Sequence, residues 1–95
     1  MLFTVVFTDR AENTFESIGN QILERWGANE RNVFRKRTYE VIDKIGIFPY
    51  MFKSIDKNDK VRKGFVHRNC SVFYQVNNTT IEILFFWDNR QDPIL

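Results

Sequence analysis

The sequence predicts an α+β domain in which a helical hairpin packs on one face of a mainly antiparallel sheet, in the order strand, helix, helix, three strands. Three observations carry that expectation. Apolar residues recur at intervals of three and four from Ala11 to Trp26 and again from Phe34 to Ile45, which is the spacing of a helix with one buried stripe. From Arg62 to Pro93 they fall at every second position between asparagine-rich breaks, which is the spacing of strands. The break between the two helical stretches is too short for anything but an antiparallel return. Ninety-five residues with 43% hydrophobic content and ten phenylalanines suffice for one core and leave no room for a second, so residues 1–95 are expected to form a single domain.

Leu2 to Phe7 is rich in β-branched and aromatic residues and too short for a helix, so it reads as the first strand. Thr8 or Asp9 ends it and can accept a hydrogen bond from a free N–H of the next turn, with Glu12 completing an acidic capping signature. Ala11, Phe15, Ile18 and Ile22, with Leu23 and Trp26 alongside, form the stripe of the first helix, and Gly27 ends it. Asn29 is placed to cap the second helix, which carries Phe34, Val41, Ile42 and Ile45 on one side and is closed by Gly46 and Pro49. Ile47 to Ile55 is apolar but interrupted by proline, so it reads as a packed connection, and Asp56 to Lys60 as a solvated loop.

For the last three strands, two-residue turns at Arg68-Asn69 and Asn77-Asn78 set His67 opposite Cys70 and Val76 opposite Thr79. A uniform register then puts Cys70, Val72, Tyr74 and Val76 on one face with Ile81, Ile83, Phe85 and Trp87. Val66, Phe73, Leu84 and Phe86 gather on the other, among Arg62, Ser71, Gln75 and Glu82. A sheet that is apolar on both faces needs two covers. The helices supply one; the second is either the Ile47 to Ile55 segment with the tail Ile94-Leu95, or a partner.

The inventory of chemistry is short. One histidine and one cysteine are too few for a zinc site, and the four glycines form no phosphate loop, so no metal, cofactor or small-molecule substrate is expected. Cys70 lies at an inward position and reads as a small buried apolar residue. With no basic-then-apolar leader and no long apolar run, the chain is expected in the cytoplasm, away from membranes. The net charge of +2 and pI near 8.9 do not by themselves announce a nucleic-acid binder. The basic residues are nonetheless concentrated: Lys53, Lys57, Lys60, Arg62, Lys63, His67 and Arg68 precede or line the first hairpin, and Arg90 follows the last strand. Arg62, Arg68 and Arg90 are expected to converge above the outer sheet surface beside Phe73 and Phe86, an arrangement suited to a phosphate backbone or equally to an ordinary solvated edge.

The order of elements, the hairpin ending in Gly46 and Pro49, the basic strand start Val61-Arg62-Lys63, the strand Ser71-Val72-Phe73-Tyr74-Gln75-Val76 and the terminal run from Ile81 to Arg90 together resemble the RelE/ParE superfamily of bacterial type II toxins. The resemblance covers nearly the whole chain. It implies a toxin neutralised by a small cognate antitoxin, here expected to dock on Val66, Phe73, Leu84 and Phe86. Relatives of the RelE kind cut messenger RNA on the ribosome with basic residues plus a tyrosine or histidine near the C-terminus; those of the ParE kind inhibit DNA gyrase. The segment Asp88-Asn89-Arg90-Gln91-Asp92-Pro93 holds neither tyrosine nor histidine. RNA cleavage needs a proton acceptor, and arginine stays protonated. A nuclease here would have to be built on Arg62, His67 and Arg90, with Asp88 able to take a proton only if its pKa were raised. The ParE-like, non-catalytic reading is therefore favoured over the RelE-like nuclease, and both over a non-toxic RNA-binding or scaffold domain. In every toxin reading the target-facing residues are Lys53, Lys57, Lys60, Arg62, Lys63, Arg68 and Arg90.

Overall fold

In the computed structural model, which describes residues 2–91, the order is β1 (Thr4–Phe7), α1 (Asp9–Trp26), α2 (Ala28–Ile47), β2 (Val61–His67), β3 (Cys70–Asn77) and β4 (Thr80–Asp88). The strands form one sheet in the order β1-β4-β3-β2, with β1 parallel to β4 and the other pairs antiparallel. The helical hairpin lies on one face.

Helix α1 starts where its capping signal predicts. Thr8 is the N-cap, its hydroxyl accepting from the Ala11 N–H at 3.0 Å and donating to the Leu84 carbonyl at 2.7 Å. That second bond has a structural purpose. β1 is four residues long and β4 nine, so half of β4 runs on without a neighbour on that side. Thr8 serves one orphaned group there, and the Thr14 hydroxyl serves another by accepting from the Phe86 N–H at 2.8 Å. Both threonines belong to the first two turns of the helix segment, so α1 closes the edge that β1 leaves open.

Gly27 joins the helices, and its φ of 94° explains why glycine stands there. It serves as C-cap of α1 and N-cap of α2 at once, so the second helix begins at Ala28 rather than after Asn29, with no side-chain cap. On α2 the buried positions are Phe34, Thr38, Ile42, Ile45 and Gly46, while Val41 is half-buried. Thr38 was absent from the expected stripe; its hydroxyl returns a hydrogen bond to the Phe34 carbonyl at 2.8 Å, which lets a polar residue sit there. The Gly46 carbonyl accepts from the Phe3 N–H at 3.0 Å, tying the helix end to the approach of β1.

The connection from residue 48 to residue 60 packs only in part: Pro49 is buried and Phe52 half-buried, on the helix side of the sheet, while Phe48, Tyr50 and Met51 stay exposed, against the expectation of a packed segment. Phe52 joins the core, the Tyr74 hydroxyl donates to the Pro49 carbonyl at 2.8 Å, and Arg62 Nη1 donates to the Phe52 carbonyl at 2.7 Å. The segment also borders β2 through a bridge between Ser54 and Arg62. It therefore does not cover the outer face. The tail Ile94-Leu95, the other expected cover, lies outside the described residues.

Two one-residue irregularities break the uniform register. Between β2 and β3 the partners change from Phe65–Ser71 to His67–Cys70, leaving Val66 unopposed; between β3 and β4 they change from Phe73–Phe85 to Tyr74–Ile83, leaving Leu84 unopposed. The second turn also lies one residue later than expected, with Asn77 opposite Thr80 and Asn78 at a φ of 29°. A bulge moves every residue beyond it to the opposite face relative to its partner. Phe86 thus goes under the helices, within 5.4 Å of the Phe15 ring, while Phe85 and Trp87 turn outward. Val66, at 2% exposure, is likewise in the core, and Arg62 faces Tyr74 rather than Gln75.

Gly64 is the tightest point of this arrangement. A Cβ there would lie 2.6 Å from the ring of Phe52, whose own carbonyl is held by Arg62. Gly64→Ala is expected to lower stability by about 1–3 kcal/mol, read as a reduced urea midpoint with an unchanged slope.

Candidate functional site

The outer face of the sheet carries two cross-strand rows. One is Lys63, Phe73 and Phe85; the other is Phe65, Ser71 and Trp87. The Phe73 and Phe85 rings stack at 4.5 Å, the Lys63 ammonium lies 5.8 Å from the Phe73 ring centre and 5.7 Å from that of Phe65, and the Arg10 guanidinium sits 4.1 Å over Phe85. Cations laid over aromatic faces are attracted by the ring quadrupole and shield the apolar surface from water. Phe73 is only 1% exposed and Leu84 is half-buried, whereas Phe65 stands 59% exposed. Of the expected docking row Val66, Phe73, Leu84 and Phe86, then, the first and last belong to the helix-covered core. The flat, accessible group of the outer face is Phe65.

The expected convergence of Arg62, Arg68 and Arg90 does not occur. Arg62 lies on the helix side, its guanidinium bound to the Phe52 carbonyl and 4.8 Å from the Tyr50 ring. Arg68 is in the turn after β2, at the other end of that strand, and five residue steps along the strand separate Arg62 from His67, about 16 Å. Arg90 is held at the same end as Arg68. Its Nε and Nη2 donate to the two carboxylate oxygens of Asp88 at 2.9 and 2.6 Å, and the guanidinium lies 4.9 Å from the Trp26 ring. Lys53, Lys57 and Lys60 are exposed on the connection leading into β2. The predicted cations thus form two groups at opposite ends of the sheet, with Lys63 between them on the outer face.

His67, Cys70, Asp88 and Arg90 do meet, in a cleft closed by Ile18, Ile22 and Trp26, but its volume is about 10 Å³. That is room for one water at most. Burial pushes the Cys70 thiol up to about 12, with the Asp88 charge adding to the effect, so the thiolate that a nucleophile needs is not formed at neutral pH. The hydrogen bond from Arg90 holds the Asp88 carboxyl below its ordinary range, so the raised value required of a proton-accepting acid is absent. His67 is pushed down, first by burial and then by Arg37 and Arg68, and stays neutral at pH 7. Among the described residues no group of histidine, cysteine and acidic side chains is arranged to hold a metal ion.

Two contributors escaped sequence reading. Arg10 reaches the outer face only because α1 begins beside the end of β1, and Arg37 of α2 reaches the end of β2 only because the hairpin crosses the sheet there. Neither belongs to a local motif. A large exposed apolar patch was also unforeseen as such: Ile47, Phe48, Tyr50 and Met51, with Phe3, line an open hollow at the end of α2, and Phe48 and Tyr50 are 64% and 63% exposed.

The sequence matches, over residues 5–93, the family described as the ParE toxin of type II toxin-antitoxin system, parDE. The chain belongs to the ParE toxin family. A similar solved structure is the chromosomal ParDE TA system from P. aeruginosa, 15% identical in sequence, with 92% of this chain and 96% of that chain covered and a TM-score of 0.76; at that identity the likeness is one of fold. No curated protein matches this chain.

In this ParE-family toxin the Asp88–Arg90 pair is structural. Because the folded carboxyl sits below its ordinary value of 3.8, the unfolded chain binds the proton more readily, so the pair stabilises the fold fully above pH 4 and that contribution disappears as pH falls through the folded value. Arg90→Ala leaves a carboxylate at 6% exposure without its cation. The expected loss is about 2 kcal/mol at pH 7, shrinking toward zero in denaturation curves below the carboxylate range.

Proposed function

We propose that this chain is a gyrase-directed toxin of a type II toxin-antitoxin pair, acting in the cytoplasm by docking rather than by catalysis and neutralised by a small cognate antitoxin. The observation that carries the reading is the family match, which spans 89 of 95 residues if its bounds, 5 and 93, are both counted. The side-chain geometry supports the non-catalytic half. Arg62, His67 and Arg90, the set on which a nuclease would rest, are divided between the two ends of the sheet, and Arg90 is bound to Asp88. The cleft where His67 and Arg90 do meet is far smaller than a nucleotide. Among the described residues no helix is long and apolar enough to cross a membrane.

Antitoxin docking is assigned to the outer face around Phe65, with Leu84 retained from the expected row, Phe85 added, and the buried Phe73 supporting them from beneath by its stack on Phe85. An accessible aromatic flanked by a lysine is the kind of group that anchors interfaces. The target-facing role belongs to Lys53, Lys57, Lys60, Lys63 and Arg68, whose charges are exposed or, for Lys63, spread over the outer aromatics.

Purified chain added to gyrase, plasmid and ATP is expected to trap cleaved DNA while leaving messenger RNA intact in a translating extract. Messenger cutting at ribosomes without gyrase trapping would overturn the proposal. For the antitoxin surface, Phe65→Glu is expected to weaken binding of the antitoxin encoded beside this gene at least tenfold, about 1.4 kcal/mol, without unfolding the toxin. Calorimetric titration with a circular dichroism control checks it.

A further inference from the structure

We propose that Arg37, His67 and Arg68 form an anion-binding site at the β2 edge that takes a phosphate group of a single-stranded nucleic acid segment. The three residues line one open cleft of about 420 Å³ together with Val41, Phe65 and Val66. Each comes from a different element: Arg37 from α2, His67 from the end of β2 and Arg68 from the turn that follows. The Arg68-Asn69 turn sets His67 opposite Cys70, and Val66, left unopposed by the bulge before it, is buried in the core.

Nothing acidic lines the cleft. The Arg90–Asp88 pair is the one ion pair among the described residues, so neither Arg37 nor Arg68 has a carboxylate on it. The charges acting on His67 from the surrounding elements are the cations Arg37 of α2, Arg68 of the turn and Arg90 beyond β4 and the carboxylate of Glu30 of α2; Asp88 of β4, which lines the smaller cleft with His67, is taken up by Arg90. An anion placed among these groups would relieve the mutual repulsion of the cations and allow the imidazole to take a proton and become a further donor. Two guanidinium forks suit a phosphate and a carboxylate alike. The selecting feature is Phe65, whose ring is 59% exposed at the mouth of the same cleft: a base attached to the bound phosphate can stack on it, as aromatic platforms do for unpaired strands.

His67 is the only histidine, so its imidazole signal in proton NMR reports the site without assignment. Inorganic phosphate is expected to raise the apparent pKa of His67 by about 0.5–1 unit, and a short single-stranded thymidine oligonucleotide to do so at lower concentration, in a salt-dependent manner. Arg37→Ala and Arg68→Ala are each expected to remove the shift and weaken oligonucleotide binding roughly tenfold, while the Lys variants, which preserve charge and guard against any folding defect, restore part of both. Phe65→Leu is expected to weaken the oligonucleotide but leave inorganic phosphate unaffected. An imidazole pKa that ignores phosphate overturns the site. A polyglutamate peptide that binds as tightly as the oligonucleotide overturns its assignment to nucleic acid. Neither outcome bears on gyrase trapping, so this inference and the proposed function fail separately.

Discussion

A pleated strand sends successive side chains to opposite faces, and a single inserted residue reassigns all those beyond it. Two such insertions, at Val66 and Leu84, decide how this molecule divides its aromatic residues. With them in place Val72, Tyr74, Ile83 and Phe86 form one continuous floor for Phe15, Ile18 and Phe34 of the helices, while Phe73, Phe85 and Trp87 are left to the other side. The second bulge falls next to the place where β1 stops, and Thr8 and Thr14 bind the backbone groups of Leu84 and Phe86 that it exposes. The helix N-terminus and the sheet irregularity are thus one local solution.

The same geometry sorts the cations. Guanidinium and ammonium groups are found over Phe85, Phe73, Tyr50 and Trp26, so much of the positive charge lies along apolar surface instead of projecting from it. Arg62 and Arg90 are held by a carbonyl and a carboxylate, and they act as clasps, one for the connection at Phe52 and one for the turn after β4. Arg37 and Arg68, which have no carboxylate on them, lie around His67.

Periodicity made the element order, the Thr8 cap, the Gly27 break and the alternation of β2 to β4 legible, because each rests on contacts within a few residues. Of the strand pairings, only His67–Cys70 at the first turn was legible; the β2–β3 pairs beyond Val66 and all the β3–β4 pairs, whose turn lies one residue later, differ. An alternating run such as Thr80 to Asp88 carries no mark of where an extra residue will be absorbed; that depends on the length of β1 and on which α1 hydroxyls are within reach. Val66, Phe86 and Arg62 were assigned to the wrong face for this one reason. Arg10 and Arg37 were overlooked for another: they serve surfaces made by elements distant in sequence, and an arginine on a helix reads as solvated until its neighbour across the fold is known.

Cys70 is 1% exposed, sits beside the β2–β3 turn, and has its thiol held up to about 12. It is also the sole sulfhydryl of the chain. Alkylating reagents can then reach it only during excursions in which α1 lifts from that end of the sheet, so the rate of labelling clocks local opening on a single molecular lesion, with no second sulfur to confuse the count.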